Sequence, residues 1–289
     1  MTYYLVIYNI LSTIGWGYIF ISTFIHVSNL DGSAITPPKT ASSTILNLLK
    51  SSGIISGSIE THLPTWMQPV YQRSTSTFAR VGTQTAFVQS FALLEVVHAL
   101  LGWVRSPLQT TVMQVASRLF LVWGVIEQFE NVRSCEAAVL MVTQFFVQVR
   151  TNPLFASMVL AWSMTEIIRY AFYACNLLGF QPYVLLYLRY TTFYILYPVG
   201  AFSEAFLIYA TLPKSSPLPG WQARVQEMWK PTDYFRALMF CIWWPGMTCS
   251  SRPSSHSTLY TALYVLYTYM IAQRRKVLRS HKLRGAKAD

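Results

Sequence analysis

Long apolar runs separated by polar segments dominate this chain. Runs of about 20 apolar residues predict membrane-spanning helices, whereas the strands of a membrane β-barrel alternate over segments of about ten residues. The predicted spans are 4–27, 86–104, 110–126, 154–178, 183–212 and a last one near the C-terminus in two apolar pieces, 234–247 and 258–272. The pattern therefore predicts an all-α protein, a polytopic membrane helical bundle of about six transmembrane helices forming one domain over residues 1–289.

Three other segments complete the predicted organisation. Residues 28–84 are rich in Ser, Thr, Pro and Gly, which predicts a long polar loop outside the membrane. Residues 136–149 are apolar but shorter than an ordinary span, so we interpret them as an interfacial or re-entrant segment. Seven spans is the alternative count, if this segment or the two final apolar pieces cross the membrane separately. Residues 273–289 form a basic tail.

Composition and charge agree with a membrane protein. Hydrophobic residues make up 53% of the chain and charged residues only 11%, where soluble domains carry about 25%. The net charge is +11, but seven basic residues lie in 274–287. A basic tail directly after a membrane helix indicates the cytosolic side and contact with anionic lipid, rather than a nucleic-acid partner. The four cysteines form no CxxC pair, and the histidines are scattered, so the sequence predicts no metal site.

The run at 183–212 contains ionisable residues at predicted membrane depth. An ionisable group there costs about 2.5–3.5 kcal/mol on insertion scales, so such groups usually serve a function. Tyr197 and Glu204 are seven residues apart, two helical turns, and so share one helix face. Pro198 removes one helical hydrogen bond between them, and Gly200 leaves room for a ligand on the same side. We interpret this helix as one wall of an active site within a membrane.

Other predicted spans also carry polar side chains. Glu95 lies in the second span, and Gln114 and Arg118 are four residues apart in the third. Glu95 and Arg118 have an alternative interpretation as a structural ion pair between helices, because buried charges need partners. Arg169 and Arg189 lie near span ends, where arginines also extend to lipid headgroups.

At these residues the chain resembles the very-long-chain (3R)-3-hydroxyacyl-CoA dehydratase family, also called protein-tyrosine-phosphatase-like. The similar stretches are 93–124, 158–177, 188–213 and 273–278, about two-thirds of the chain in order. The stretch RYTTFYILYPVGAFSE, residues 189–204, is the most specific, because a generic membrane helix would not place its Arg, Tyr-Pro, Gly and Glu together.

The resemblance implies a six-span protein of the endoplasmic reticulum with a cytosolic C-terminus. It implies dehydration of a 3-hydroxyacyl-CoA to a trans-2-enoyl-CoA, the third step of fatty-acid elongation, without a metal or redox cofactor. Its catalytic pair falls on Tyr197 and Glu204. The family's other important polar positions fall on Glu95, Gln114, Arg118, Arg189 and Gly200. The implied partners are the condensing enzyme and the reductases of the elongation cycle.

This chain departs from the family pattern in two places. Residues 131–146 are interpreted as an insertion after the third span, and residues 246–258 as a second insertion in the final helix. Both insertions bear on the packing around the site. Three function classes therefore follow from the sequence: a dehydratase, a non-catalytic membrane scaffold of the elongation complex, and a small-molecule transporter whose path is lined by charged residues.

The acid and base roles are predicted from ordinary side-chain chemistry. Elimination of water needs a base for the C2 proton and an acid for the C3 hydroxyl, because hydroxide is a poor leaving group. We expect Glu204 to act as the base and Tyr197 as the proton donor. The reverse assignment needs a tyrosinate, although a nearby arginine would favour one.

Overall fold

The regular structure of this protein is helical. The computed structural model describes residues 1–30, 32, 64–104, 106–126, 150–212, 231–243, 268, 271–276 and 279. Every regular element within these residues is a helix, and none is a strand. The all-α prediction is therefore confirmed for the described part of the chain.

The described residues contain nine α-helices that are numbered in chain order. They are α1 (Thr2–Val27), α2 (Gln68–Thr75), α3 (Thr77–Ser90), α4 (Leu93–Leu100), α5 (Leu108–Leu119), α6 (Leu154–Leu177), α7 (Tyr183–Arg189), α8 (Phe193–Ala210) and α9 (Pro231–Trp243). A π-helix over Phe120–Ile126 continues α5, and residues 271–276 are also helical.

The chain divides into two compact units. The α8 unit comprises Met1–Thr13 and Thr165–Asp289, and the α3 unit comprises Ile14–Met164. In the α8 unit, α9 packs on α8 with the rings of Tyr209 and Phe240 5.4 Å apart. The core of the α3 unit contains fully buried side chains from distant segments of its sequence, among them Trp16, Ile19, Val81, Leu121, Phe155 and Met158.

Two of the helices are long and apolar enough to cross a membrane: α1 and α8. A surface helix of a soluble protein is polar on its outer face. On α1 the outer face is apolar instead, with Ile7, Leu11, Ile14 and Tyr18 each about 60% exposed along one stripe. These two helices support association with a membrane. The predicted count of six spans is not confirmed among the described residues.

The predicted bounds of α1 and α6 agree closely with the structure, because each helix has clear end signals. Asn152 Oδ1 accepts a hydrogen bond from the Leu154 amide at 3.0 Å and caps the start of α6. Helix α6 ends just before Gly179, whose φ is +79°. There the Phe180 amide donates to the Cys175 carbonyl at 2.9 Å. This pattern is the usual glycine-terminated end of an α-helix.

The predicted loop at 28–84 is wrong over its last part, because residues 68–75 and 77–84 are helical. Hydroxyl side chains in this part of the chain donate to backbone carbonyls three or four residues earlier. Ser74 Oγ donates to the Val70 carbonyl at 2.7 Å, and Thr77 Oγ1 donates to the Arg73 carbonyl at 3.3 Å. A serine- and threonine-rich segment can thus bury its polar groups and form helices, which its composition does not indicate.

Two predicted spans are each broken into two helices. The 86–104 span is divided between α3 and α4, where the Ala92 amide donates to the Gln89 carbonyl three residues back. The 183–212 span is divided between α7 and α8 at residues 190–192. There the Thr192 hydroxyl donates to the Leu188 carbonyl at 2.9 Å and competes for a helical acceptor. Such bonding bends or interrupts a helix, so the apolar run continues while the helix does not.

Several sequence-based assignments lie outside the described residues. These are 136–149, the proposed insertions at 131–146 and 246–258, and all but five residues of the basic tail at 273–289. They stay predictions.

Candidate active site

Helix α8 places Tyr197 and Glu204 on the face that looks toward the protein. Seven residues of an α-helix turn about 700°, so the two side chains leave the axis within about 20° of one another. Ile208, four residues after Glu204, projects from the same face and is completely buried. The opposite face carries an exposed apolar stripe formed by Ile195, Val199, Phe202 and Tyr209. Glu204 therefore lies on the more buried side of α8, whereas Tyr197, at 39%, is about as exposed as Val199 at 40%.

Exposure falls along the inner face of α8 from its N-terminal to its C-terminal half. Tyr197 is 39% exposed, Glu204 is half-buried, and Ile208 is 0% exposed. Gly200 and Ser203 are buried beside this line of residues. The face is accordingly exposed at Tyr197 and buried three turns later at Ile208.

Pro198 distinguishes α8 from an ordinary membrane helix. It lies inside the helix, directly after Tyr197. Proline has no amide hydrogen, so it cannot donate to the Tyr194 carbonyl four residues earlier. The interruption lies beside Tyr197 rather than beside Glu204.

Arg189 is held in place by aromatic rings of α6. Its guanidinium lies 4.8 Å from the ring centre of Phe172 and 4.7 Å from that of Tyr173, and Nη2 donates to the Tyr173 hydroxyl at 3.1 Å. These contacts hold the guanidinium against the two rings. This contact also packs α7 against α6 within the α8 unit.

Arg169 has a different environment on α6. Its Nη2 and Nε lie 2.6 and 2.7 Å from the same Glu166 oxygen, and its guanidinium lies 4.4 Å from the Tyr170 ring centre. Glu166 is 1% exposed. The two charges neutralise each other within one helix turn, which identifies them as a structural pair.

The remaining predicted site residues belong to the α3 unit. Glu95 is half-buried on α4, Gln114 is exposed on α5, and the Arg118 guanidinium lies 5.2 Å from the Trp162 ring centre. Arg118 is thus fixed by an aromatic ring, as Arg189 is in the other unit. The ion pair between Glu95 and Arg118 stays a prediction.

One buried ion pair was missed from the sequence. On α9, Arg236 Nη1 lies 3.3 Å from Asp233 Oδ1, and both residues are 8% exposed. Asp233 and Arg236 carry opposite charges three residues apart at the start of an apolar run, and this spacing favours a helix. Within the described residues, no three His, Cys, Asp or Glu side chains gather as metal ligands.

Comparison with known proteins identifies the family of this helical protein. The family model described as "Protein tyrosine phosphatase-like protein, PTPLA" matches residues 89–280, well over half of the chain. The chain belongs to the PTPLA family. The matched region contains both Tyr197 and Glu204 and every other predicted site residue.

Curated relatives of this PTPLA protein carry one enzyme name. A Caenorhabditis elegans protein, "Very-long-chain (3R)-3-hydroxyacyl-CoA dehydratase hpo-8", is 31% identical over 276 residues, which cover 95% of this chain and 94% of the relative. A Schizosaccharomyces pombe protein named "Probable very-long-chain (3R)-3-hydroxyacyl-CoA dehydratase" is 38% identical over 200 residues, which cover 69% of this chain and 76% of the relative. The rice protein PASTICCINO 2A, with the same enzyme name, is 36% identical over 75% of this chain and 89% of its own. No solved structure matches this chain.

Proposed function

We propose that this PTPLA-family protein removes water from very-long-chain (3R)-3-hydroxyacyl-CoA to give the trans-2-enoyl-CoA. The names of its relatives support this hydro-lyase activity. The observation that carries the assignment to particular residues is the inner face of α8, where a phenol and a carboxyl group project in nearly the same direction.

The reaction needs one proton acceptor and one proton donor. The base takes a proton from C2, the electrons of that C–H bond form the C2–C3 double bond, and the C3–O bond breaks. The acid protonates the departing hydroxyl, so water leaves rather than hydroxide. Atoms and charge balance without an oxidant, a reductant or a second substrate.

Glu204 is the base in this proposal, and Tyr197 is the acid. Glutamate side chains ordinarily ionise near pH 4 and tyrosine phenols near pH 10, so at neutral pH the first accepts a proton and the second holds one. Helical rise separates their Cα atoms by about 10 Å, and side chains leaning from one face leave space for the C2–C3 unit between them. The reverse assignment requires both groups in their unusual protonation states.

Gly200 and Arg189 have supporting roles. Gly200 is buried on α8 between the two reactive residues, and its lack of a side chain leaves room for the thioester. Arg189 ends α7, just before α8 begins, and aromatic rings hold its cation in place. Glu95, Gln114 and Arg118 are proposed as further substrate-binding residues, on the family resemblance alone. The proposed setting is the endoplasmic reticulum membrane, with the condensing enzyme and reductases of fatty-acid elongation as partners.

The decisive experiment compares three α8 variants of the full-length chain in purified membranes. With a long-chain 3-hydroxyacyl-CoA as substrate, we expect Tyr197→Phe and Glu204→Gln each to lower turnover by about 10²–10⁴-fold. Tyr209→Phe is the matched control, because it removes a phenol from the same helix on the exposed face. It should keep turnover within about twofold of the native chain, because substitutions at exposed positions usually change stability very little.

Two results would contradict the proposal. Equal turnover of the native chain and both inner-face variants would remove the reactive pair from the mechanism. No turnover from a folded native chain would favour the scaffold alternative. Size-exclusion chromatography in detergent measures the amount of folded protein in each variant. This measurement distinguishes a loss of catalysis from a loss of folded structure.

A further inference from the structure

Three buried polar atoms at the junction of α7 and α8 have no hydrogen-bond partner. They are Arg189 Nη1, Thr191 Oγ1 and Arg274 Nε. Buried polar groups of native proteins are nearly always hydrogen-bonded, so each exception calls for an explanation such as a bound water, ion or ligand. Among the described residues of the α8 unit, this junction accounts for all such atoms.

Arg274 reaches the junction from a distant part of the sequence. Residues 271–276 form a helical turn and a half, and the Arg274 guanidinium lies 5.5 Å from the ring centre of Tyr194. Tyr194 is the second residue of α8 and stacks on Phe193 at 4.3 Å. The Arg274 cation is therefore fixed beside the first turn of α8.

Two fixed cations consequently flank the junction. Arg189 and Tyr194, the residue whose ring Arg274 covers, are five residues apart in the sequence. The chain between them is helix or turn throughout, so the backbone positions of these two anchors lie about 8–10 Å apart by helical rise. Aromatic rings cover the faces of both guanidinium groups, which leaves their N–H edges for hydrogen bonding. Thr191, between the two anchors, adds a hydroxyl.

The unsatisfied atoms are all able to donate. A guanidinium carries only donors, and a threonine hydroxyl donates or accepts. A complementary ligand therefore presents acceptor oxygens and negative charge. Phosphate provides several such oxygens in one group, and arginine is the side chain best suited to it.

We propose that Arg189, Thr191 and Arg274 form a phosphate-binding site at the α7–α8 junction. With the proposed function as its basis, the phosphates are those of the CoA part of the substrate. Tyr197 follows Thr191 by six residues, about 9 Å along the helix, and Glu204 lies deeper on the same face. The phosphate site, Tyr197 and Glu204 then follow one another along the chain, so the phosphates would lie toward one end of the reacting pair.

The test measures binding of CoA to the full-length chain in phosphatidylcholine nanodiscs, without turnover. We expect Arg274→Gln to weaken CoA binding about tenfold or more, because it removes a charge-assisted bond to phosphate. Thr191→Val should weaken binding about threefold, as expected for loss of a neutral hydroxyl. Arg275→Gln is the matched control, since it removes the same charge from the neighbouring exposed side chain. It should leave binding within about twofold.

A phospholipid headgroup offers the same phosphate chemistry, and a second arm distinguishes the two sources. The native chain and the Arg274→Gln and Arg275→Gln variants are purified from nanodiscs containing phosphatidic acid, and retained lipid is counted by mass spectrometry. CoA binding reduced selectively by Arg274→Gln supports the site with CoA as its ligand. Lipid retention reduced selectively by that variant, with CoA binding unchanged, supports the site with a headgroup as its ligand.

Equal behaviour of both arginine variants in both arms would overturn the phosphate site. The outcome is separable from that of the proposed function, because neither arm needs catalysis. A chain that binds CoA through Arg274 but dehydrates nothing would keep the site and reject the dehydratase. Arg274→Lys keeps the charge, and partial recovery of binding with it shows that Arg274→Gln does not act by unfolding the chain.

Discussion

Helices α1 and α8 have similar apolar character but differ in the polar groups that they carry. Both are long and apolar enough to cross a membrane, and both present an exposed apolar stripe. On α1, Asn9 Nδ2 donates to the Leu5 carbonyl at 2.6 Å, and Thr13 Oγ1 donates to the Asn9 carbonyl at 2.8 Å. These polar groups are satisfied by the helix that carries them. On α8 the inner face carries a phenol and a carboxyl group, to which the proposed function assigns the roles of acid and base.

The two helices are alike in hydropathy, and they differ in the kind of polar side chain that they carry. Asn9 and Thr13 donate to the backbone of α1, whereas Tyr197 and Glu204 of α8 are ionisable. An amide or hydroxyl bonded to a carbonyl four residues back has little chemistry left to offer. A phenol and a carboxyl group on one face, beside a proline that interrupts the backbone, offer both halves of an acid–base reaction.

The largest effect that sharpens this comparison comes from replacing one polar side chain in each of the two helices. Glu204→Gln should reduce turnover by at least about 10²-fold. Asn9→Leu should leave turnover per folded molecule within about twofold, because it removes a locally satisfied amide from α1. Initial rates normalised to folded protein provide the measurement. A comparable loss in both variants would contradict the division between a structural and a reactive helix.

A substrate with a different leaving group separates the acid from the base within α8. If the C3 hydroxyl is replaced by chloride, departure needs no proton donor. The defect of Tyr197→Phe should then shrink about tenfold or more, while that of Glu204→Gln should persist. Rates of enoyl-CoA formation from the two substrates are compared for each variant. Recovery of Glu204→Gln instead would establish the reverse assignment of roles.

The ion pair of α6 should affect stability rather than chemistry. Glu166→Gln leaves the Arg169 cation without its carboxylate, and we expect about 1–3 kcal/mol of destabilisation, less than for a fully buried pair because Arg169 is 25% exposed. The double variant Glu166→Gln with Arg169→Gln should recover part of that loss. Unfolding in mixed micelles monitors stability, and turnover per folded molecule should stay unchanged. A selective loss of turnover would instead place this pair in the active site.

The smallest expected effect concerns the outer stripe of α8. Phe202→Leu keeps an apolar side chain on the exposed face. The unfolding free energy should therefore change by less than about 0.5 kcal/mol, and turnover should stay within about twofold. A nitroxide attached at position 202 should be quenched by oxygen, which concentrates in lipid, more than one attached at position 203, which is buried. Equal quenching at both positions would contradict a lipid-facing stripe.

Local sequence signals were sufficient where a helix is long and well capped. The bounds of α1 follow from apolar length, and those of α6 follow from apolar length together with the signals at Asn152 and Gly179. Local signals were misleading for the Ser- and Thr-rich residues 68–84, most of which are helical. They were also misleading at Thr192, where a hydroxyl bonded to the backbone accompanies the interruption of an apolar run.

The sequence by itself determined the helical class, the membrane character and the common face of Tyr197 and Glu204, because helical periodicity relates residues two turns apart without help from the rest of the chain. Only the tertiary structure decided that this face looks inward, that α6 rings fix Arg189, and that Arg274 lies over Tyr194, eighty residues away in sequence. Those facts depend on packing between distant segments, and no local pattern of residues encodes which of the apolar faces will meet.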